Sequence, residues 1–252
     1  MAFRNVETCS SEGREKHAIV ADLDGTLTRG RSSFPYFMLM AIEGGSMLRG
    51  AVLMLVASIV WLLYHFVSKE ADVKVLIFVS FAGLKVKDIE GVIRAVLPKF
   101  YTDDIPPESW RVFSSCYFNR CVVTANPRIM VEFFCENHLG ADKVLGSEIQ
   151  VTNGGQATGL LLSPGVLLGD RKRHFVKAEF GDQALDVGLG DRDYDHPFIC
   201  ARYHSFSFSF FNSSLSLFLA TLYSFIALDL PARSIHGPTQ KQRGGSAYAQ
   251  AL

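Results

Sequence analysis

The chain has 252 residues, and its 25 Lys and Arg cancel 25 Asp and Glu, so the formal net charge is zero. With no basic stripe to track a phosphate backbone, composition argues against a nucleic-acid partner. At 48% hydrophobic and 20% charged residues, the chain is not disordered either. Five scattered cysteines (Cys9, Cys116, Cys121, Cys135, Cys200) without a CxxC argue against a disulfide scaffold or a zinc site and fit a reducing compartment.

In chain order, residues 1–17 are polar with both signs of charge and do not read as a secretory signal. His17–Leu23 (HAIVADL) predicts a buried parallel strand ending in acidic residues. An apolar stretch follows from Phe34 to Val67, charged only at Glu43 and Arg49. Within it, Gly50–Val67 holds 18 residues without Asp, Glu, Lys or Arg, the lower edge for a membrane span. Ile89, Val92, Ile93, Val96 and Leu97 fall at helical spacing over Lys87–Leu97, with Pro98 as the stop. Arg120–Thr124 (RCVVT) predicts a second strand. Asn126 as N-cap and Pro127 at the first helical position then open a helix ending near Gly140. Asn153-Gly154-Gly155 predicts a hairpin turn and Ala184–Leu189 a third strand. A second apolar segment, roughly Phe206–Leu228, precedes a polar tail that reads as disordered. Alternating strands and helices predict an α/β doubly wound parallel sheet, in which ligands collect at the carboxyl ends of the strands.

Acidic residues stand at those strand ends. In Asp22-Leu23-Asp24-Gly25-Thr26 the two carboxylates can enter one site, and Gly25 permits the sharp turn. Asp22 is suited to attack a phosphoryl group, forming an aspartyl-phosphate, and Asp24 to protonate the leaving oxygen and later activate water. Thr124, closing the second strand, can hold a phosphate oxygen with its hydroxyl. Lys172 and Lys177 are candidates to neutralise nucleophile and phosphate, Lys172 preferred because it sits where a helix would begin. In Gly190-Asp191-Arg192-Asp193-Tyr194-Asp195, the carboxylates of Asp191 and Asp195 supply hard oxygen ligands for Mg²⁺.

Taken in order, DxDGT, strand-end Thr, Lys and GDxxxD resemble the haloacid dehalogenase-type phosphohydrolases. That resemblance implies a Rossmann-like core with a helical, hydrophobic cap inserted after the first motif. It divides the chain into a polar tail (1–16), a phosphatase domain (17–200) with its cap (27–118), a hydrophobic Ser/Phe-rich segment that is a candidate membrane segment (201–230) and a disordered tail (231–252). Asp22 and Thr124 must share one site, so the cap cannot cross a membrane an odd number of times. A helical hairpin around Gly44-Gly45 dipping into one leaflet, or a greasy helix against the membrane surface, meets that limit.

The strings RGRSSFPYFMLMAIEGG, VLPKFYTDDIPPESWRVF, VVTANPRIMVEFF, LGADKVLGSEI and GLGDRDYDHPF resemble the amino-terminal part of the land-plant glycerol-3-phosphate acyltransferases of cutin and suberin synthesis. The match runs over roughly residues 15–200. Bifunctional members of that family acylate the sn-2 position and then remove the phosphate, giving 2-monoacylglycerol. Asp22, Asp24, Thr124, Lys172, Asp191 and Asp195 all fit the phosphatase pattern. The resemblance therefore implies the phosphatase-competent, cutin-type branch: a Mg²⁺-dependent phosphatase acting on lysophosphatidic acid, membrane-associated at the cytosolic face of the endoplasmic reticulum, with Asp22 also touching the metal. Family members carry an acyltransferase domain with an HxxxxD box after the fourth motif. Here the one HxxxxD string, His17 to Asp22, reads as chance, and the sequence after Phe198 reads as a truncated or mis-spliced product. Two other readings stand beside the phosphatase: an acyltransferase by family membership, or a non-catalytic membrane-associated relic.

Overall fold

The computed structural model describes residues 11–66, 69–181, 186–191 and 204–207, with backbone alone for 58–66, 69 and 204–207. Asp195, Ala184 and residues 208–252, with most of the second apolar segment and the polar tail, lie outside the described residues.

A five-stranded parallel sheet organises the core, in the order β3-β2-β1-β6-β7. β1 (Ala18–Asp22) lies at its centre, with every residue buried. It is flanked by β2 (Asn119–Pro127) on one side and β6 (Val187–Gly190) on the other. β3 (Lys143–Ser147) pairs with β2, and the backbone of β7 (His204–Ser207) pairs with β6. Residues 204–207, at the start of the Ser/Phe-rich segment, thus join the sheet. Uninterrupted apolar strands of this kind require cover on both faces, which matches the α/β doubly wound fold predicted from the sequence.

α8 (Asp170–Phe180) covers one face of the sheet. Its Val176 and Phe180 pack with Ala18 and Val20 of β1, Cys121 and Val123 of β2, and Leu145 of β3. α7 (Arg128–Asn137) packs against β2 and β3. Cys116, Cys121 and Cys135 are buried, and desolvation pushes the Cys121 thiol up to about 12. They act as small apolar side chains.

Between β1 and β2 the chain builds the cap expected after the first motif. It comprises α1 (Phe34–Glu43), α2 (Met47–Phe66), α3 (Lys69–Phe81), α4 (Val86–Ala95), α5 (Leu97–Asp103) and α6 (Pro107–Ser114). α1 and α2 are joined at Gly44-Gly45-Ser46, a helical hairpin at the predicted place. Gly50 lets the two approach: a Cβ there would stand 3.0 Å from Ile42 Cδ1. Among the described residues, no helix is long and apolar enough to cross a membrane.

Two local expectations are corrected. Pro98 does not end the structure begun at Lys87. The chain kinks at Val96 and Pro98 enters the first turn of α5, where the missing N–H has no helical partner to lose. Nor is Asn126 a helix cap. β2 runs on through Pro127, and α7 begins at Arg128.

β4 (Ile149–Val151) and β5 (Ala157–Leu161) form the antiparallel hairpin predicted by Asn153-Gly154-Gly155. This hairpin ties cap to core. Gly159 (φ +77) passes so close to α3 that a Cβ would stand 3.1 Å from the Phe78 backbone. Glu70 of α3 is also ion-paired with Arg171 of α8 at 2.9 Å, and Arg171, with Lys74 beside it, holds the Glu70 carboxyl below its ordinary range.

Candidate active site

Strand periodicity places the first carboxylate. Ala18, Val20 and Asp22 share one face of β1, the face that α8 covers. On α8, Lys172, Val176 and Phe180 fall at i, i+4 and i+8, and all three are buried. Val176 and Phe180 cover the strand, and Lys172, one turn nearer the helix start, meets Asp22 at the strand end. Its Nζ donates to Asp22 Oδ1 at 2.6 Å, and the two residues are only 1% and 4% exposed. Lys177 lies off this stripe and is exposed, so the lysine at Asp22 is Lys172.

After Asp22 the backbone makes a single wide turn over Leu23–Leu27, with Gly25 at φ +80. A Cβ on Gly25 would overlap the Asp191 carboxylate and stand 2.9 Å from Arg31 Cγ. Asp24 is half-buried in this turn, and its Oδ2 accepts a hydrogen bond from Asn126 Nδ2 at 2.9 Å. Thr124 is fully buried, one residue past Val123, the β2 partner of Asp22 in the strand register. Its Oγ1 accepts the backbone N–H of Asn126 at 3.1 Å.

β6 supplies the remaining described carboxylate. Leu189 pairs with Ala21, so Asp191, just past the strand, comes out beside the turn that follows Asp22. Its side chain is fully buried, and Arg31 Nε lies 3.1 Å from Oδ2. Asp22, Asp24, Thr124, Lys172 and Asp191, drawn from separate stretches of sequence, therefore gather at the carboxyl ends of three adjacent strands.

Among the described residues no group of three or more His, Cys, Asp or Glu side chains forms a metal site, and Asp195 lies outside them. The donors that are described suit a hard divalent cation. Asp22 and Asp191 are buried carboxylates leaving neighbouring parallel strands, and glycine at 25 keeps the space beside Asp191 open.

An aromatic stack joins the cap to α7 near Asp24. Tyr36 stacks on Tyr101 at 3.9 Å between ring centroids, and Tyr101 on Phe134 at 4.8 Å. Tyr36 donates its hydroxyl to Asp104 Oδ2 at 2.8 Å. Burial, with the nearby carboxylates Asp104 and Asp24, holds the Tyr36 phenol far above its ordinary range, so it stays a neutral donor.

Sequence reasoning missed Asn126, Arg31 and the tyrosine stack as parts of this region. For Asn126 a signal existed: it stands two residues after Thr124, on the same strand face if the strand continues. For Arg31 and Tyr101 no local pattern pointed to the site.

Residues 18–206 match the family described as "Glycerol-3-phosphate acyltransferase RAM2-like, HAD-like domain". The chain belongs to this family. It is 54% identical over 178 residues to "Glycerol-3-phosphate acyltransferase RAM2" of Petunia hybrida, covering 70% of this chain and 37% of that protein. It is 36% identical over 205 residues to "Glycerol-3-phosphate acyltransferase 1" of Arabidopsis thaliana, covering 76% and 34%. The chain thus spans about a third of the length of these relatives. Among solved structures, a Bordetella pertussis protein of unknown function superposes with a TM-score of 0.56 at 15% identity, covering 72% of this chain and 85% of that one. A probable phosphoserine phosphatase from Vibrio cholerae gives 0.51 at 12% identity, covering 90% and 69%. These likenesses support the haloacid dehalogenase-like core for this member of the RAM2-like family.

Proposed function

We propose that this chain is a Mg²⁺-dependent phosphatase module that converts an sn-2 acyl-glycerol phosphate to 2-monoacylglycerol through an aspartyl-phosphate. The observation that carries this reading is the buried Lys172–Asp22 pair at the strand end, with Asp24 two residues on. Lys172 keeps Asp22 oriented and adds positive charge where phosphoryl oxygens would lie. An Asp22 oxygen attacks phosphorus while the bond to the leaving oxygen breaks. The electron pair goes to that oxygen, which takes a proton from Asp24. The Asp24 carboxylate then takes a proton from water, whose oxygen attacks phosphorus and expels Asp22 as a carboxylate with inorganic phosphate. The Thr124 hydroxyl, already accepting from Asn126, keeps its own proton to donate to a phosphoryl oxygen. Asp22, Asp191 and Asp195 would hold Mg²⁺, whose charge would neutralise the phosphoryl oxygens.

The names of the relatives favour a second reading, acyl transfer. The HxxxxD string does not supply it. His17 stands one residue before β1 and Asp22 closes it, roughly 16 Å apart at the rise of a strand, and Asp22 is engaged by Lys172.

Asp22→Asn is expected to reduce phosphate release from lysophosphatidic acid with Mg²⁺ by about 10³-fold or more, and chelation should abolish release by the parent chain. A folded parent that releases no phosphate would refute the phosphatase reading.

Membrane association at the cytosolic face of the endoplasmic reticulum, in the service of cutin synthesis, belongs to the same proposal. It is supported by an apolar stripe on α2, where Leu48, Val52 and Leu55 fall at i, i+4 and i+7 and are 74%, 42% and 73% exposed. Leu48→Glu with Leu55→Glu should at least halve the fraction that floats with phosphatidylcholine vesicles. Unchanged flotation would remove this face as the contact.

A further inference from the structure

The proposed chemistry asks Asp24 to present a proton in one direction and later to receive one from water. Asp24 lies in a turn beside a glycine, and such a side chain has rotamers to spare unless something fixes it. Asn126 fixes it. This residue is 2% exposed, its backbone N–H is tied to Thr124 Oγ1, and its amide Nδ2–H donates to Asp24 Oδ2. The amide thus grows from a central strand of the sheet, held at both its backbone and its side chain, and it crosses to the one acid that the reaction needs aimed.

We infer that Asn126 is a positioning residue for the general acid, directing Asp24 by holding Oδ2 so that the transferable proton sits on Oδ1, facing the leaving oxygen. The inference rests on the phosphatase reading given above. An amide suits this role because it does not titrate: it holds the carboxyl before and after the proton has moved. A hydroxyl or a charged donor would either reorient or compete for the proton. The same bond explains why β2 continues through Asn126. Capping α7 would turn this side chain toward the helix N–H groups and away from Asp24.

A leaving group that departs as an alkoxide needs the acid, whereas nitrophenolate leaves without a proton. Positioning of the acid therefore appears as a split between substrates. In single-turnover experiments with Mg²⁺, Asn126→Ala should slow product release from lysophosphatidic acid by about 10²-fold, with KM changed less than twofold. The first-turnover burst of nitrophenolate from p-nitrophenyl phosphate should fall less than threefold. The similarly sized Asn126→Leu, which roughly keeps the volume but has no donor, should show the same split and guards against a packing effect of the smaller side chain. Equal losses on both substrates, a rise in KM at constant kcat, or unfolding of both variants would overturn the inference and make Asn126 a substrate-binding or scaffold group. A parent chain inactive on both substrates would instead refute the phosphatase reading, and the role of Asn126 would fall with it.

Discussion

Lys172→Met is expected to lower the free energy of unfolding by about 3–5 kcal/mol and to remove phosphatase activity. Methionine fills most of the space left by the lysine stem, so the loss comes from electrostatics and not from a cavity. The Asp22 carboxylate would be left buried, without its cation, at a strand end only 4% exposed. Two controls separate this from a general sensitivity of α8. Lys177→Met, on the exposed side of the same helix, should stay within about 0.5 kcal/mol of the parent. The double variant Asp22→Asn/Lys172→Met removes both charges and should recover a large part of the stability while remaining inactive, a non-additivity expected only of directly coupled groups. Chemical denaturation of five proteins measures it: the parent, Asp22→Asn, Lys172→Met, the double variant and Lys177→Met. Additive losses would mean that the pair contributes as two independent side chains.

The second large effect is expected at Gly25. Alanine there has two separate problems. The backbone stands at φ +80, where an L-residue costs about 1–2 kcal/mol. The added methyl would also overlap Asp191, whose Cγ lies 2.8 Å from the ideal Cβ position. The carboxylate must move or the turn must open, and a displacement on the order of 1 Å in such a site costs about 10²-fold in rate. Gly25→Ala should therefore lose about 10²-fold in turnover with only a few degrees in Tm. Gly13→Ala, at φ +73 with nothing within 4 Å, is the control, carrying backbone strain without the collision. Equal activity losses in the two variants would show that the collision is not what matters.

Much of the site was legible because its residues obey simple periods. Period two on β1 aims Asp22 at the face where Ala18 and Val20 are buried. Period 3.6 on α8 puts Lys172 in line with Val176 and Phe180, which singles it out from Lys177. The parts that were not legible depend on where elements stop. Asn126-Pro127 reads equally well as a helix start or as the last residues of a strand. Only the pairing of Pro127 with Ser147 and the bond to Asp24 decide for the strand. Pro98 is ambiguous in the same way, since proline both ends helices and begins them. Arg31 and the Tyr36–Tyr101 stack reach the region through tertiary packing between distant segments, for which a single sequence carries no period.

The position of β1 has a consequence for how the protein is made. Both of its neighbours in the sheet, β2 and β6, come later in the sequence, and Asp22 waits 150 residues for Lys172. At about 5–20 residues per second, synthesis takes roughly 8–30 s to cover that interval. During that time the nascent chain carries an acidic residue at the end of an apolar strand, with both edges uncovered until β2 is made and the β6 edge uncovered throughout, while the cap's apolar helices are being added. The strand that carries Asp22 leaves the ribosome before every strand it pairs with and is completed only when β6 follows.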